Sequence, residues 1–264
     1  YRNNGQGGFL DETASRLPLD LAALPGGASR PIAGDVNGDG WIDLVLLADD
    51  PARPDALLLG RAPGTFQAPV PLPEHAAISS DAVLVDVDGD GDLDLVRSIG
   101  SSGHVNTAGR DSLALNDGAG QFAESGAFLM APWNSDAVPS TGVLSLDANG
   151  DGRTDLFITR ADSGAATGTP GARNQLLLGI GGGAFIDGSS GLPDLHDNSF
   201  GAVALDLEGD GDLDLVVSNS LLGVPGASSG DVLVNQGGAQ GGLQGTYLDQ
   251  FGALEELPIL SEAI

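Results

Sequence analysis

Short apolar runs alternate with polar, glycine-rich stretches along the chain. One set of four runs lies at 83–85, 93–96, 113–115 and from Phe122 onward, and it is rich in Val, Leu and Ile. Runs of this length between clusters of Gly, Asp and Asn are typical of β-strands joined by tight turns. The connections are short enough for hairpins, so each set predicts a four-stranded antiparallel meander of about the size of one propeller blade.

The same unit recurs along the chain. Nine-residue acidic loops occupy 35–43, 86–94, 147–155 and 206–214. Their first aspartates lie 51, 61 and 59 residues apart. Glycine-rich turns that lead to an aromatic residue recur with them, at 4–9, 60–66, 116–122, 179–185 and 235–247. Such repetition is typical of arrays in which neighbouring units bury the sheet faces that one unit leaves open.

The acidic loops carry the chemistry of a calcium site. Calcium takes six to eight oxygen ligands at about 2.3–2.6 Å, and oxygen-bearing side chains at positions 1, 3, 5 and 9 can converge on one ion, with a backbone carbonyl from position 7. Gly38 and Gly40 allow the positive φ values that wrap such a loop. We predict about four Ca²⁺ ions. The predicted ligands are Asp35, Asn37, Asp39, Trp41 and Asp43; Asp86, Asp88, Asp90, Asp92 and Asp94; Asp147, Asn149, Asp151, Arg153 and Asp155; and Asp206, Glu208, Asp210, Asp212 and Asp214.

Two features qualify this prediction. Glu208 departs from the pattern, because its extra methylene moves the carboxylate outward and predicts a weaker, water-mediated or shifted site. An EF-hand would need a bidentate Glu at position 12 and flanking helices. Neither is present, because each loop runs into a strand and position 12 is Leu46, Arg97, Ile158 and Val217.

The alternative interpretation is four acidic hairpin turns without metal, since Asp and Gly are common turn formers. Four or five carboxyl groups within nine residues repel one another unless a cation lies between them. The recurrence of the loop in four places favours the metal interpretation.

These patterns predict an all-β fold, a β-propeller of four-stranded antiparallel blades with Asp-rich calcium loops. We expect 1–264 to be a single propeller region. Four blades and a half do not close a ring comfortably, so we expect an incomplete ring, a fragment of a propeller of about six to eight blades. The expected boundaries are 1–25 for the end of a preceding blade, 26–75, 76–135, 136–195 and 196–251 for four blades, and 252–264 for a tail.

The composition excludes several classes of partner and of chemistry. The net charge of −27 comes from 37 acidic and 10 basic residues, all of them arginines, which argues against nucleic acid or an anionic membrane as partner. The chain has no cysteine and no lysine, which excludes thiol and Schiff-base chemistry. No apolar run reaches the ~20 residues of a membrane span, and Tyr1 does not begin a signal peptide, although a removed one is compatible with the sequence. No catalytic motif is present, so we predict no enzyme activity.

The repeats resemble the FG-GAP/VCBS family of calcium-binding propeller blades, which occur in integrin α-subunits and in secreted bacterial proteins. The resemblance rests on the Asp-x-Asp/Asn-x-Asp-Gly-x-x-Asp-Leu core of each loop, and covers nearly the whole chain. A Phe-Gly pair precedes only the fourth loop, as Phe200 and Gly201, which favours the looser bacterial type. The resemblance implies a propeller of about seven blades, calcium, an extracellular, cell-surface or periplasmic location, and a role in adhesion or carbohydrate binding.

A ligand is expected on the side opposite the acidic loops. The second connection of each unit varies most, at 48–55, 99–111, 160–173 and 219–230, and variable loops on one face of a repeat array are where binding usually resides. Trp133 is compatible with stacking on a sugar or packing between blades, and His75 and His196 are expected to cap or pack. The candidates on this side, for which ordinary solvated loop is the alternative, are His104, Asn106, Arg110, Trp133, Arg160, Asp162 and Arg173.

Three functions are compatible with these observations. The first is a calcium-stabilised extracellular binding, adhesion or assembly module with a protein or carbohydrate ligand. The second is a lectin-like propeller, and the third is a non-catalytic domain of a larger secreted enzyme. Nucleic-acid binding and direct membrane insertion are not expected. An incomplete blade leaves strand edges unpaired, so completion by further blades or by a neighbouring subunit is expected.

Overall fold

The fold was analysed in a computed structural model, which describes residues 1–18, 28–48, 50, 52–73, 77–100, 109–129, 131, 138–161, 171–220, 230–237 and 243–250. The regular secondary structure among the described residues is almost entirely β-strand, as predicted. The helical elements among them are two single turns, α1 (Thr13–Arg16) and α2 (Gly126–Leu129), and a 3-10 turn at Ser189–Gly191. No helix in these ranges is long and apolar enough to cross a membrane.

Four antiparallel sheets of four strands follow one another along the chain. Before them, β1 (Arg2–Asn3) and β2 (Phe9–Leu10) form a hairpin. Sheet 1 consists of β3 (Ala28–Gly34), β4 (Asp43–Ala48), β5 (Ala56–Leu58) and β8 (Val70–Pro71), with the small hairpin β6 (Gly60–Arg61) and β7 (Thr65–Phe66) between its last two strands.

The remaining sheets have the predicted meander order without interruption. Sheet 2 consists of β9 (Ser79–Val85), β10 (Asp94–Ile99), β11 (Ser112–Asn116) and β12 (Phe122–Glu124). Sheet 3 consists of β13 (Ser140–Leu146), β14 (Asp155–Arg160), β15 (Gln175–Gly181) and β16 (Ala184–Asp187). Sheet 4 consists of β17 (Asn198–Leu205), β18 (Asp214–Ser220), β19 (Gly230–Asn235) and β20 (Tyr247–Asp249).

The second strands of sheets 2 and 3 are buried on both faces. In sheet 2, Leu95 and Val96 point to opposite faces and both have no exposed surface. Val96 pairs with Val83 on one side and with Leu113 on the other. A strand covered on both faces tolerates continuous apolar residues, which is why the sequence shows apolar runs here instead of strict alternation. Each such side chain contributes about 1.5–3 kcal/mol through burial.

Successive sheets pack face to face. We call the face toward the following sheet the rear face, and the face toward the preceding sheet the front face. The rear of sheet 1 meets the front of sheet 2 through Val36, Val45, Leu47, Leu57, Ala82, Leu95 and Ala114. The next interface contains Val87, Val96, Leu113, Leu156, Ile158, Leu177 and Phe185. The third contains Leu146, Ala148, Phe157, Leu176, Leu215, Val217, Leu233 and Tyr247. The cores therefore lie between the repeats.

Candidate metal centre

Two glycines shape each acidic loop. In the first loop Gly38 has a φ of 67° and Gly40 a φ of 85°. The glycines at the same two positions of the other loops also have positive φ, between 70° and 98°. A side chain with a Cβ is disfavoured in this left-handed region. The prediction that glycine is needed to wrap the loop is confirmed.

The backbone of each loop wraps around the side chain of its first aspartate. Asp35 accepts the Asp39 N–H at 3.2 Å through Oδ1 and the Gly40 N–H at 2.8 Å through Oδ2. Asp147 accepts the two equivalent N–H groups at 3.1 and 2.9 Å. In the second and fourth loops the first aspartate accepts N–H groups at positions 4 and 6, at 2.7–3.1 Å. The loop is therefore preformed around a carboxylate before any ion is considered.

The ninth residue of each loop is a fully buried aspartate, a property that the sequence alone did not indicate. Asp43, Asp94, Asp155 and Asp214 have no exposed surface. In sheet 2, Asp94 accepts the N–H of Val87 at 3.1 Å through Oδ2 and the N–H of Asn116 at 2.9 Å through Oδ1. The other three make the same pair of bonds, to position 2 of the loop and to the end of the third strand, at 2.6–2.9 Å. This aspartate ties the acidic loop to the glycine-rich turn.

This tie places the first and third connections of each sheet on one side, as predicted. It also explains two glycines at the turn side of the third strands, Gly60 at the start of β6 and Gly179 within β15. A Cβ on Gly60 would lie 2.2 Å from the Ile42 carbonyl oxygen, and one on Gly179 would lie 2.2 Å from that of Thr154. The loop and turn approach each other too closely for a side chain at these positions.

The carboxyl groups of the loops repel one another. Burial raises the pKa of Asp43, Asp94 and Asp155, and neighbouring aspartates of the same loop raise it further. In the fourth loop the pKa of Glu208 is raised to about 7, mainly by burial and secondly by contact with Asp214. The pKa of Asp212 is raised to about 6, mainly by burial and secondly by contact with Asp210. Each raised pKa indicates that negative charge is unfavourable there, and a bound cation would reverse that balance.

The second loop brings its carboxylates into metal-binding geometry. Asp86, Asp88 and Asp94 each offer an oxygen, and these oxygens lie within 4.8 Å of one another. Two oxygens on opposite sides of one Ca²⁺ are about 4.6–5.2 Å apart, so the three fit a common ion. Among the described residues, this is the group of three or more such side chains that meets this distance.

Position 7 is Arg153 in the third loop, and it is a buried aspartate, Asp212, in the fourth. Arg153 donates from Nη1 to the Asp151 carboxylate at 2.8 Å, so a guanidinium contacts one of the predicted ligands. The N–H and the charge of Arg153 lower the pKa of Asp151. Asp212 is 3% exposed, and neither of its oxygens has a hydrogen-bond partner within the described ranges. A buried carboxylate without a donor is a good ligand for a cation.

A second set of buried or half-buried polar residues, which sequence reasoning missed, joins the sheets at the opposite end. Asp55 accepts the Ala48 N–H and the Ser79 hydroxyl of the next sheet, at 2.8 and 2.7 Å. Asp111 and Asn174 repeat the arrangement, reaching Ser140 at 3.0 Å and Ser199 at 2.9 Å. The available signal was an Asp or Asn directly before or at the start of each third strand.

The candidates for a ligand face are only partly described. Arg173 forms an ion pair with Asp194 at 3.0 Å, and His196 is exposed beside the same carboxylate. Arg160 donates to Gln175 at 2.5 Å, and burial lowers its pKa. His75, His104, Asn106, Trp133 and Asp162 lie outside the described residues. The ligand face therefore stays a prediction.

Known proteins match this chain through the repeats. A family model of the FG-GAP-like repeat matches residues 35–97 and 147–217, which together are about half of the chain and include all four acidic loops. The chain belongs to the FG-GAP-like repeat family. The resemblance inferred from the loop sequences is thereby confirmed, and the four sheets described above are the structural units that carry these FG-GAP-like repeats.

Similarity to solved structures is distant. The crystal structure of the V. cholerae biofilm matrix protein Bap1 aligns with a TM-score of 0.40 and 17% identity. The alignment covers 78% of this chain and 26% of that chain, so this chain spans about a quarter of Bap1. No curated protein matches the chain.

Proposed function

We propose that this FG-GAP-like chain is a calcium-stabilised binding or assembly module of an extracellular protein. The observation that carries the proposal is the second loop, where Asp86, Asp88 and Asp94 present oxygens within 4.8 Å of one another. Three carboxyl groups in this arrangement are held together at an electrostatic cost that a divalent cation removes. The repetition of the same loop in all four sheets gives about four such sites.

We also propose that the sheets are blades of a propeller. The first strands of successive sheets, β3, β9, β13 and β17, lie next to one another, as the inner strands of adjacent blades do. Each sheet packs its rear face on the front face of the next, which is how a radial array buries both faces of every sheet. In such an array the calcium ions stabilise the scaffold, and the partner binds elsewhere.

An extracellular location agrees with the proposed metal. Extracellular calcium modules often bind at Kd values of ~10⁻⁴–10⁻³ M, which only fluids outside the cytoplasm saturate. The net charge of −27 also makes the cation-free chain repel itself. The proposed partner is a protein or a carbohydrate that meets the loops on the side opposite the metal sites, where connection length varies most.

The test is a calcium titration of the chelated protein by calorimetry, with melting temperature measured in parallel. We expect about four ions and a large rise in melting temperature, because calcium binds only the folded loops. A double variant, Asp86→Asn with Asp88→Asn, should remove one ion from the stoichiometry. The control is Asp194→Asn, since Asp194 is an exposed acid outside the loops, with a side chain that is 76% exposed. Melting that is indifferent to calcium would refute the proposal.

A further inference from the structure

A small cavity lies where the first strands of the four sheets run side by side. Its volume is about 150 Å³, and each first strand contributes to its lining: Arg30 of β3, Asp81 of β9, Gly142 of β13 and Phe200 of β17. Arg30, Asp81 and Gly142 each stand five residues before the first aspartate of their acidic loop. The cavity is therefore a property of the array, because all four sheets contribute to it.

Three oxygen atoms from three different sheets surround the space beside Gly142. A Cβ at this glycine would lie 2.8 Å from Thr159 Oγ1, 3.4 Å from Asp81 Oδ2 and 3.5 Å from the Phe200 carbonyl oxygen. The φ of Gly142 is not positive, so its backbone conformation does not require glycine. The missing side chain instead keeps the space between the three oxygens open.

The hydroxyl of Thr159 can only accept a hydrogen bond in this cavity. Thr141 Oγ1 lies 2.6 Å from the Ser199 carbonyl oxygen, and a carbonyl has no hydrogen, so Thr141 donates there. Thr159 Oγ1 lies 3.0 Å from Thr141 Oγ1 and must be the donor of that pair, because the Thr141 hydrogen is already used. Thr159 is 1% exposed, and its oxygen presents lone pairs to the cavity.

The other two oxygens are acceptors as well. Phe200 is skipped in the pairing of β17 with β18, and the carbonyl of such a bulged residue is left outside the ladder. Asp81 Oδ1 already accepts the Ala82 N–H at 2.8 Å and pairs with the Arg30 guanidinium at 2.5 Å. Asp81 Oδ2 accepts the Val143 N–H at a long 3.4 Å, so this oxygen retains capacity for a further donor.

A ligand that fits three acceptors must bring three donors. A primary ammonium group carries three N–H donors and a positive charge, whereas water has two donors. The chain has no lysine side chain to fill the space, and its net charge of −27 favours a cationic ligand. We propose that this cavity binds the primary ammonium group of a ligand, which donates to Thr159 Oγ1, Asp81 Oδ2 and the Phe200 carbonyl oxygen.

Titration of the full chain with n-propylammonium chloride, followed by saturation-transfer NMR at constant ionic strength, tests the proposal. The matched control is trimethylpropylammonium chloride, which has the same charge and no N–H group. We expect saturable, millimolar binding of the first compound and none of the second. Equal binding would overturn the proposal, because it would reflect attraction to the net charge alone. Complete displacement by sodium in place of tetramethylammonium would overturn it in favour of a metal-ion site.

Four variants locate the binding. Gly142→Ala places a methyl group between the three oxygens, and Asp81→Asn removes the negative charge, so each should raise the Kd for propylammonium about ten-fold. Arg30→Gln should lower the Kd, because it removes a competing cation from Asp81. Gly126→Ala is the control, because its Cβ meets no atom within 4 Å and α2 does not line the cavity.

The opposite effects expected for Arg30→Gln and Asp81→Asn separate binding from a general loss of folding. An unchanged Kd in both Gly142→Ala and Asp81→Asn would overturn the proposal, as would weaker binding in Arg30→Gln.

The source of the ammonium group is distinguished by titration with N-α-acetyl-lysine amide. Binding as tight as that of propylammonium assigns the cavity to a lysine side chain of a partner protein, and binding of propylammonium alone assigns it to a free amine. All titrations are performed with calcium and with chelator. The cavity contains no residue of the acidic loops, so failure of this proposal is distinguishable from failure of the calcium proposal.

Discussion

At the residue scale, the aspartates of one loop have different structural roles. Asp88 faces the proposed ion, and its Oδ1 accepts the Asp90 N–H at 3.2 Å. Asp94 offers an oxygen to the same ion, but its two oxygens already accept backbone N–H groups from the loop and from β11. One sequence motif thus combines a ligand for the proposed cation with a buried carboxylate that also accepts structural hydrogen bonds.

This difference predicts that chelation changes the effect of one substitution and not that of another. Asp94→Asn replaces one acceptor by an NH₂ group that faces an N–H, so it should lower the free energy of unfolding by about 1–3 kcal/mol with or without calcium. Asp88→Asn should be destabilising only when calcium is present. Denaturant unfolding in calcium and in chelator measures both. An Asp94→Asn effect that disappears in chelator would contradict the structural role of this carboxylate.

A second residue-scale prediction concerns Asp111, which joins sheets 2 and 3. Burial raises its pKa to about 6. Because this value lies above the ordinary one of 3.8, the folded protein holds the proton more tightly than the unfolded chain. The resulting stabilisation is fully present below about pH 3.8 and is lost as the pH rises through about 6.

Asp111→Asn should remove this pH dependence and stabilise the protein at pH 7 by about 2–3 kcal/mol. Asn174 already makes the equivalent bridge between sheets 3 and 4 with an amide, which indicates that the site accepts Asn. Unfolding free energies of both proteins from pH 4 to pH 7 test this. Parallel pH profiles would show that Asp111 does not titrate in this range.

At the element scale, the acidic loop and the glycine-rich turn form one unit. The two elements are separated by the second strand, a connection and the third strand, yet their backbones approach closely where β6 begins. A Cβ on Gly60 would lie 2.2 Å from the Ile42 carbonyl oxygen. The loop must therefore move if residue 60 acquires a side chain, and the Asp43 hydrogen bond to the Gly60 N–H, at 2.6 Å, must lengthen.

Gly60→Ala should accordingly destabilise the protein by about 1–3 kcal/mol and weaken calcium binding in the first loop. The matched control is Gly126→Ala in α2, where an added Cβ meets no atom within 4 Å and the residue is helical. Replacing Gly by Ala there should be neutral or slightly stabilising. Thermal unfolding compares the two variants, and equal effects would argue against a close loop-to-turn contact.

At the scale of the whole molecule, negative charge is concentrated on a scaffold that contains few cations. The net charge is −27 for 264 residues. The buried ion pair of Arg97 with Asp55, at 3.3 Å, links sheets 1 and 2 far from the acidic loops and does not offset the charge within them. Repulsion that acts over the whole array should therefore lower the stability of the cation-free protein.

Sodium chloride should raise the melting temperature of the chelated protein, because screening weakens this repulsion, and should have a much smaller effect on the calcium-loaded protein. Differential scanning calorimetry at 10 mM and at 500 mM salt provides the measurement, because the screening length falls from about 30 Å to about 4 Å between them. Sucrose, which is uncharged, is the control for general solvent effects. Identical salt dependence with and without calcium would show that the loops are not the source of the repulsion.

The sequence by itself determined the repeat, the strands and the loops. Short apolar runs, paired glycines with positive φ and alternating oxygen-bearing side chains are local properties, and the FG-GAP-like assignment follows from them. The tertiary structure decided which side chains are shared between units. The bridges from Asp55, Asp111 and Asn174 to the next sheet depend on partners that are distant in the chain. Spacing along one repeat cannot specify such contacts, because they form only when one sheet packs on the next.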